Sequence, residues 1–345
     1  MRALTLAALG GPEQLALRDV PAPELTGPED VLIRIHAAAL NHLDLFVMDG
    51  LPGVQLGFPH IMAGDGAGVI EAVGPAVKGW KPGDRVMFNP GISCYRCEPC
   101  LSGDHSLCTT YRLLGEHMPG TAAELAVIPA KNLAPVPERM SWAQAAAFSL
   151  ANITSWRMLV TRARLKPGET ILLWGIGGGV ALASLKIARL IGATVIVTSS
   201  SDAKLERARA LGADAALNHA TMDIPKEVRA LTGRRGADVV MDNVGEQTWE
   251  RSIRCLSRQG RLVTCGGTTG PMVTTDVRKL FWYQHTIMGS TMGSWSDYQA
   301  VTRLAQLGRL WPEVDSVYPL EQGRAAVERM MSGSQFGKIV LEVAP

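Results

Sequence analysis

The sequence predicts an α/β protein in which a β-rich part and a part built on a parallel sheet share one chain. Three observations predict it. The first 150 residues break into short apolar segments separated by Pro/Gly turns. From Glu169 onward strands alternate with helices, a pattern that implies parallel strands joined by right-handed crossovers. A glycine-rich loop, Gly175-Ile176-Gly177-Gly178-Gly179, lies between the first such strand and the first such helix. The 345 residues suffice for about two domains at the usual ~100–200 residues each.

In chain order, strands are expected at 31–35, 68–73, 85–88 and 125–128, punctuated by Pro21-Ala22-Pro23, Gly27-Pro28 and Pro52-Gly53. Lys81-Pro82-Gly83-Asp84 and Lys166-Pro167-Gly168-Glu169 are turn signals, each ahead of an apolar strand. Ser141, followed three residues later by Gln144, has the form of an N-cap opening an Ala-rich helix. The alternating part then reads strand 171–174, helix 179–190, strand 194–198, helix 202–211, strand 238–242, helix 248–256 and strand 261–265. After Thr291 the pattern is helix 296–306, a loop, helix 321–331 and a closing strand 338–343.

Composition excludes several classes. Hydrophobic residues make up 47% and charged residues 19%, a globular balance rather than a disordered one. Lys plus Arg number 34 against 32 Asp plus Glu, a net charge of +2, so no nucleic-acid footprint is expected. The longest apolar stretch, 171–185, is interrupted by glycines and is shorter than the ~20 residues of a membrane span. Met1–Thr5 lacks an apolar core and cleavage site, so no signal peptide is expected and the protein is read as cytoplasmic.

Of the six cysteines, four fall at Cys94, Cys97, Cys100 and Cys108, a C-x2-C-x2-C-x7-C spacing. Four thiolates on one short loop can surround a tetrahedral zinc and leave no position open, which is the signature of a structural site. A disulfide framework would spread its cysteines along the chain instead.

This spacing resembles the structural-zinc lobe of the medium-chain dehydrogenase/reductase superfamily, which includes zinc alcohol dehydrogenases and quinone reductases. The resemblance extends to Gly64-Asp65-Gly66-Ala67-Gly68, Gly79-Trp80-Lys81-Pro82-Gly83-Asp84, Leu211-Gly212-Ala213-Asp214, Gly236-Ala237-Asp238 and Phe336-Gly337-Lys338-Ile339. It implies a GroES-like β-rich catalytic domain at 1–150 with a zinc lobe at 90–112. It also implies a Rossmann domain, a doubly wound parallel sheet for the coenzyme, at 151–290, and a return to the catalytic domain at 291–345. One structural zinc per subunit and a homodimer or homotetramer are implied as well. The edge strand after Phe281-Trp282-Tyr283 is the segment through which subunits of the family pair.

The glycine loop offers backbone N–H groups at a helix start, where a phosphate is favoured and a glycine lets it approach closely. A tight strand–helix turn is the structural alternative. By resemblance the phase is Gly175-x-x-Gly178-x-x-Ala181, with Gly177, Gly179, Val180, Asn243 and Gly266 as further coenzyme positions. At the end of the second strand, NAD-preferring sites carry an Asp or Glu for the ribose 2′-hydroxyl. By resemblance Ser199 takes that place, with Ser200 and Lys204 beside it, which suits the 2′-phosphate of NADPH. Ser200 or Ser201 as a helix cap is the structural alternative.

In zinc-dependent members a second metal polarises the substrate oxygen. A Cys, the His of a Gly-His-Glu and a Cys or acidic residue near the domain junction hold it. At those positions this chain carries Asn41, Ala63-Gly64-Asp65 and Leu150, so the inherited catalytic zinc is expected to be lost. A rearranged site from His42, His60, Asp65, Glu116 and His117 is one alternative, and ordinary loop or turn roles for these residues are the other. The resemblance places Asn41, His42, Asp65 and Thr154 at the catalytic centre, Thr154 at the nicotinamide end. The expected function is NADPH-linked hydride transfer to a small carbonyl, enone or quinone in the cleft between domains. A zinc-dependent alcohol dehydrogenase with unusual ligands and a catalytically silent coenzyme-binding sensor stand as alternatives.

Overall fold

A ten-residue strand, Asp30–Ala39, is the spine of the first part of the chain, pairing with three other strands. The computed structural model describes residues 1–344. They form two units: unit 1 takes Met1–Ala151 and the segment from Gly293 onward, and unit 2 takes Asn152–Met292.

The chain enters unit 1 through β1 (Arg2–Leu6), β2 (Leu15–Asp19), β3 (Asp30–Ala39), α1 (His42–Asp49), β4 (His60–Ile61) and β5 (Asp65–Val73). It continues through β6 (Arg85–Phe88), β7 (Gly91–Ile92), α2 (Glu98–Leu101), β8 (Arg112–Leu113), β9 (Leu125–Pro129), β10 (Leu133–Pro135) and α3 (Trp142–Ala146). After α4 (Ser149–Trp156), unit 2 runs β11 (Thr170–Leu173), α5 (Gly179–Ile191), β12 (Thr194–Ser199), α6 (Asp202–Ala210) and β13 (Ala215–Asn218). It is completed by α7 (Ile224–Leu231), β14 (Ala237–Met241), α8 (Trp249–Cys255), β15 (Leu256–Thr264), α9 (Val277–Tyr283) and β16 (Thr286–Gly289). The chain then returns to unit 1 as α10 (Trp295–Gln306), β17 (Val314–Pro319), α11 (Gly323–Met331) and β18 (Lys338–Glu342).

Unit 1 is the GroES-like domain. Its main sheet has the order β10-β6-β5-β3-β18-β17, with β9 also on β3, and a second sheet is β2-β1-β4. Val31, Ile33 and Ile35 alternate along β3 and are fully buried. They join Leu4, Leu6, Val86, Phe88, Ile339 and Leu341 in one core. The period-2 pattern put these residues on one face, and burying that face drives the assembly.

Unit 2 is the Rossmann domain. All its strand pairs are parallel, in the order β13-β12-β11-β14-β15-β16. The reversal beside β11 places the start of α5 at the C-terminal end of the central strands, where such sheets bind ligands. Leu172, Trp174, Ile196, Ile224, Val228, Val240 and Leu262 pack on one face of this sheet.

Local signals were reliable. Ser141 caps α3, with Gln144 N donating to Ser141 Oγ at 3.2 Å. Both Pro-Gly turns close with the backbone N–H of their first residue on the carboxylate of the fourth, Lys81 on Asp84 and Lys166 on Glu169, each at 2.9 Å. Two expectations need correction. The loop expected between the last two helices contains β17, which pairs with β18 in parallel. Val314–Pro319 is short and lies at the sheet edge, so it shows little of the burial alternation that announces a strand. The alternating part also contains β13 and α7, a full unit more than the sequence pattern indicated.

Candidate active site

In unit 1 the four cysteines lie on the hairpin-like lobe carrying β7, α2 and β8. Their Sγ atoms all fall within 4.8 Å of one another, and Cys94 Sγ is 4.0 Å from Cys100 Sγ. Sulfurs each ~2.3 Å from one tetrahedral zinc sit about 3.8 Å apart, so the set fits a closed structural site. Backbone amides point at two of the sulfurs: Cys94 N donates to Cys108 Sγ at 3.2 Å and Cys97 N to Cys94 Sγ at 3.3 Å. N–H donors from Thr109 and Cys100 pull the Cys97 thiol down to about 6. No cysteine is in a disulfide.

A second polar cluster of unit 1 forms at the end of β3. Ala39 pairs with Asp65 of β5 on one side, and Leu40 N donates to Ile339 O of β18 on the other. These pairings bring Asn41, Asp65 and Lys338 together in the interior. Lys338 Nζ donates to Leu40 O at 2.7 Å, to Asp65 Oδ2 at 3.1 Å and to Asn41 Oδ1. Asn41 Nδ2 donates to Asp65 Oδ2 at 3.0 Å, and Leu150 N to Asp65 Oδ1 at 2.8 Å. Asp44 completes the cluster by accepting Asn41 N at 2.7 Å and Ala63 N at 3.2 Å. Burial pushes its carboxyl up to about 6, opposed by those two amides and by the Lys338 charge.

In unit 2 the glycine loop turns from β11 into α5. Gly175 and Gly177 adopt φ of +66° and +129°, which side chains with a Cβ rarely accept. Gly175 N donates to Thr198 Oγ1 at 3.3 Å, tying the loop to the end of β12. Gly178 is the N-cap of α5, and a Cβ built there meets nothing within 4 Å. The first amides of any helix lack carbonyl partners one turn earlier, so this open space faces unsatisfied donors.

Residues 27–138 match the alcohol dehydrogenase GroES-like domain family, and residues 179–306 match the zinc-binding dehydrogenase family. A zinc-type alcohol dehydrogenase-like protein of Schizosaccharomyces pombe is 33% identical over 343 residues, covering 97% of both chains. The chain belongs to the medium-chain dehydrogenase/reductase superfamily. Human quinone oxidoreductase is 29% identical, covering 99% of this chain and 97% of its own. A crystal structure of an NAD-dependent alcohol dehydrogenase superposes with a TM-score of 0.96 at 45% identity, over 100% of both chains. The chain is thus an oxidoreductase of the zinc-type alcohol dehydrogenase and quinone oxidoreductase kind.

A nicotinamide dinucleotide, the coenzyme of this superfamily, fits unit 2 on two observations. The space beside Gly178 is open, with no atom within 4 Å of where a Cβ would stand, and Asn243 Oδ1 is buried without a hydrogen-bond partner, an acceptor available to a ligand donor. Asp242 holds that loop in shape, accepting Val244 N, Gly245 N, Thr248 Oγ1 and Ser252 Oγ at 2.6–3.1 Å. Gly266 follows β15, where its virtual Cβ approaches Asn243 O at 3.6 Å. Val180 in the first turn of α5 is held by Ser155, whose Oγ donates to its carbonyl at 2.9 Å. Ser199 is buried at the end of β12 with its Oγ accepting Ser201 N at 3.1 Å, while Ser200 is exposed. Ser201, not Ser200, caps α6, accepting Lys204 N at 3.4 Å.

The remaining superfamily positions divide clearly. Asn41 and Asp65 meet. His42 starts α1 and turns its ring edge to Phe46, with centroids 5.0 Å apart, outside that hydrogen-bond set. Thr154 is buried in unit 2, where its Oγ1 donates to Met292 Sδ at 3.7 Å. The rearranged metal site does not assemble. Among the described residues, the cysteines are the only group of three or more His, Cys, Asp or Glu within ligand reach. His60 is taken by Gly115 O at 3.0 Å, and His117 Nδ1 accepts Leu113 N at 3.3 Å. Sequence reasoning gave no role to Lys338 or Asp242. Lys338 stood in the quoted Phe336-Gly337-Lys338-Ile339 motif, but no sequence signal marked it as buried.

Proposed function

We propose that this oxidoreductase carries out NADPH-linked hydride transfer to a small carbonyl, enone or quinone acceptor, without a metal at the reacting oxygen. One observation supports it above the others. The segments that hold catalytic zinc in zinc-dependent relatives are here knit together around the chain's own ammonium, Lys338, and present Asn41, Asp65 and the Leu150 backbone. The bound coenzyme supplies the hydride chemistry. The protein's part is to hold the dinucleotide at Gly175, Gly178, Gly179 and Asn243, and to offer the more weakly held Nδ2 hydrogen of Asn41 to the acceptor oxygen as charge develops there. One Nδ2 hydrogen of Asn41 goes to Asp65 at 3.0 Å and the other only to Ala39 O at a long 3.4 Å, a weak bond that an acceptor oxygen can replace, while Oδ1 is engaged by Lys338.

The preference for NADPH rests on Ser199 standing where a carboxylate would repel a 2′-phosphate, with Lys204 one turn into α6. The relative of 45% identity is an NAD-dependent enzyme, so the ratio of catalytic efficiencies with the two coenzymes is the deciding measurement. A screen of coenzyme oxidation against aldehydes, ketones, enones and quinones, with and without chelator, tests the whole reading. Chelator-resistant turnover with NADPH supports it. Turnover abolished by chelation with the structural lobe still zinc-loaded points to a metal-dependent alcohol dehydrogenase, and tight coenzyme binding without turnover to a sensor.

Pairing of two chains through the edge of the Rossmann sheet is part of the proposal. β16 is the outermost strand, and the helix before it exposes Val277, Phe281 and Trp282 at 63%, 64% and 69%. An open edge with that much apolar surface calls for a cover, and a second copy supplies one.

A further inference from the structure

The two ends of the Asn41 carboxamide have the same outline and opposite chemistry, and its neighbours dictate which end points where. Oδ1 accepts from Lys338 Nζ, and Nδ2 donates to Asp65 Oδ2 at 3.0 Å. An ammonium has only donors and an ionised carboxylate only acceptors. Turning the amide over would set Nδ2 against the ammonium and Oδ1 against the carboxylate, replacing two attractions by two repulsions. The ammonium is saturated, its three hydrogens going to Leu40 O, Asn41 Oδ1 and Asp65 Oδ2. Lys338 is 4% exposed and Asp65 0%, so both charges act with little solvent screening. Of the other titratable groups near the cluster, Asp44 bonds backbone amides rather than the carboxamide, and the Tyr298 hydroxyl pairs with Ser149 Oγ at 3.3 Å.

Resting on the reading that Asn41 faces the acceptor oxygen, we infer that Lys338 is a positioning residue of this enzyme, its buried ammonium locking the Asn41 carboxamide into a donor-only orientation. The one group Asn41 can then present is its second Nδ2 hydrogen, held in the structure only by a long 3.4 Å bond to Ala39 O. A carbonyl or quinone oxygen, which accepts, is matched to it. The ammonium also draws electron density from Oδ1, which strengthens the N–H donor at the other end of the amide.

Lys338→Met alone leaves Asp65 buried and unpaired, and this variant risks misfolding. The Asp65→Asn/Lys338→Met double variant avoids that risk, because it removes both charges at nearly constant volume and frees the amide to turn over. In the double variant, kcat for acceptor reduction should fall about 10- to 100-fold, while the coenzyme KM and the thermal midpoint stay near wild type. Lys338→Ala should regain part of its kcat on adding methylammonium and none on adding tetramethylammonium, which has no N–H. Wild-type kcat in the double variant, or equal recovery with both cations, overturns the inference alone. A wild type with no coenzyme-linked turnover, or one that needs a second metal, overturns the functional reading and this inference with it.

Discussion

Lys338 and Asp65 stand 273 positions apart in the chain, yet their side chains meet at 3.1 Å in the interior of unit 1. A buried ion pair of this kind adds little net stability over an apolar pair, but removing one partner strands the other charge. Lys338→Met or Asp65→Asn alone should therefore destabilise unit 1 by ~3–5 kcal/mol. The double variant should recover most of that loss. Denaturant unfolding of the three variants checks this, and additive losses in the double variant would disprove the coupling.

Asp44 gives the cluster a pH dependence. Burial raises its carboxyl to about 6. A carboxyl raised on folding stabilises the fold most at low pH, where it is protonated in both states. That contribution is lost as the pH climbs from about 4, where the unfolded chain ionises, through about 6. The span corresponds to at most about 3 kcal/mol. Relative to wild type, Asp44→Asn should thus gain up to about 3 kcal/mol between pH 4 and 7 in urea unfolding. A stability difference that stays flat across that range refutes the assignment.

The cysteine lobe should hold one zinc per chain. Cys97→Ser or Cys108→Ser should empty it and lower the thermal midpoint by several degrees, since four donors act together and three leave the site open to exchange. Elemental analysis and a melting curve are sufficient. Two zinc ions per wild-type chain would contradict the reading of the Asn41 cluster as metal-free.

Coenzyme recognition is testable at two positions of different kind. Ser199→Asp should move the ratio of catalytic efficiencies towards NADH by about tenfold or more, by placing a carboxylate where the 2′-phosphate would lie. Asp242→Ala should raise the KM for either coenzyme without changing that ratio, because it unties Val244, Gly245, Thr248 and Ser252 from a common anchor. A ratio that moves with Asp242→Ala, or stays put with Ser199→Asp, contradicts these roles.

Replacing Phe281 and Trp282 by Asp should convert the assembly to single chains in size-exclusion chromatography with light scattering. A wild type that already runs as a monomer removes the basis for pairing at β16.

What could be read in the chain was local. Four cysteines within 15 residues define their lobe because a loop that short brings its own ligands together. Gly175 to Gly179 define the strand–helix turn because the needed backbone shape depends on those residues alone. Ser141 and Gln144 cap their helix for the same reason. Those features made the α/β class legible from spacing alone. The Asn41–Asp65–Lys338 cluster was beyond such reading. Nothing near Lys338 in sequence distinguishes it from a solvated lysine, and Asn41 alone leaves its amide free to point either way. Only the pairing of β3 with β5 on one side and β18 on the other sets these three residues side by side. That register is set by burying the apolar faces of three strands from distant parts of the chain. It is the tertiary structure, through that register, that decided which way the Asn41 carboxamide points.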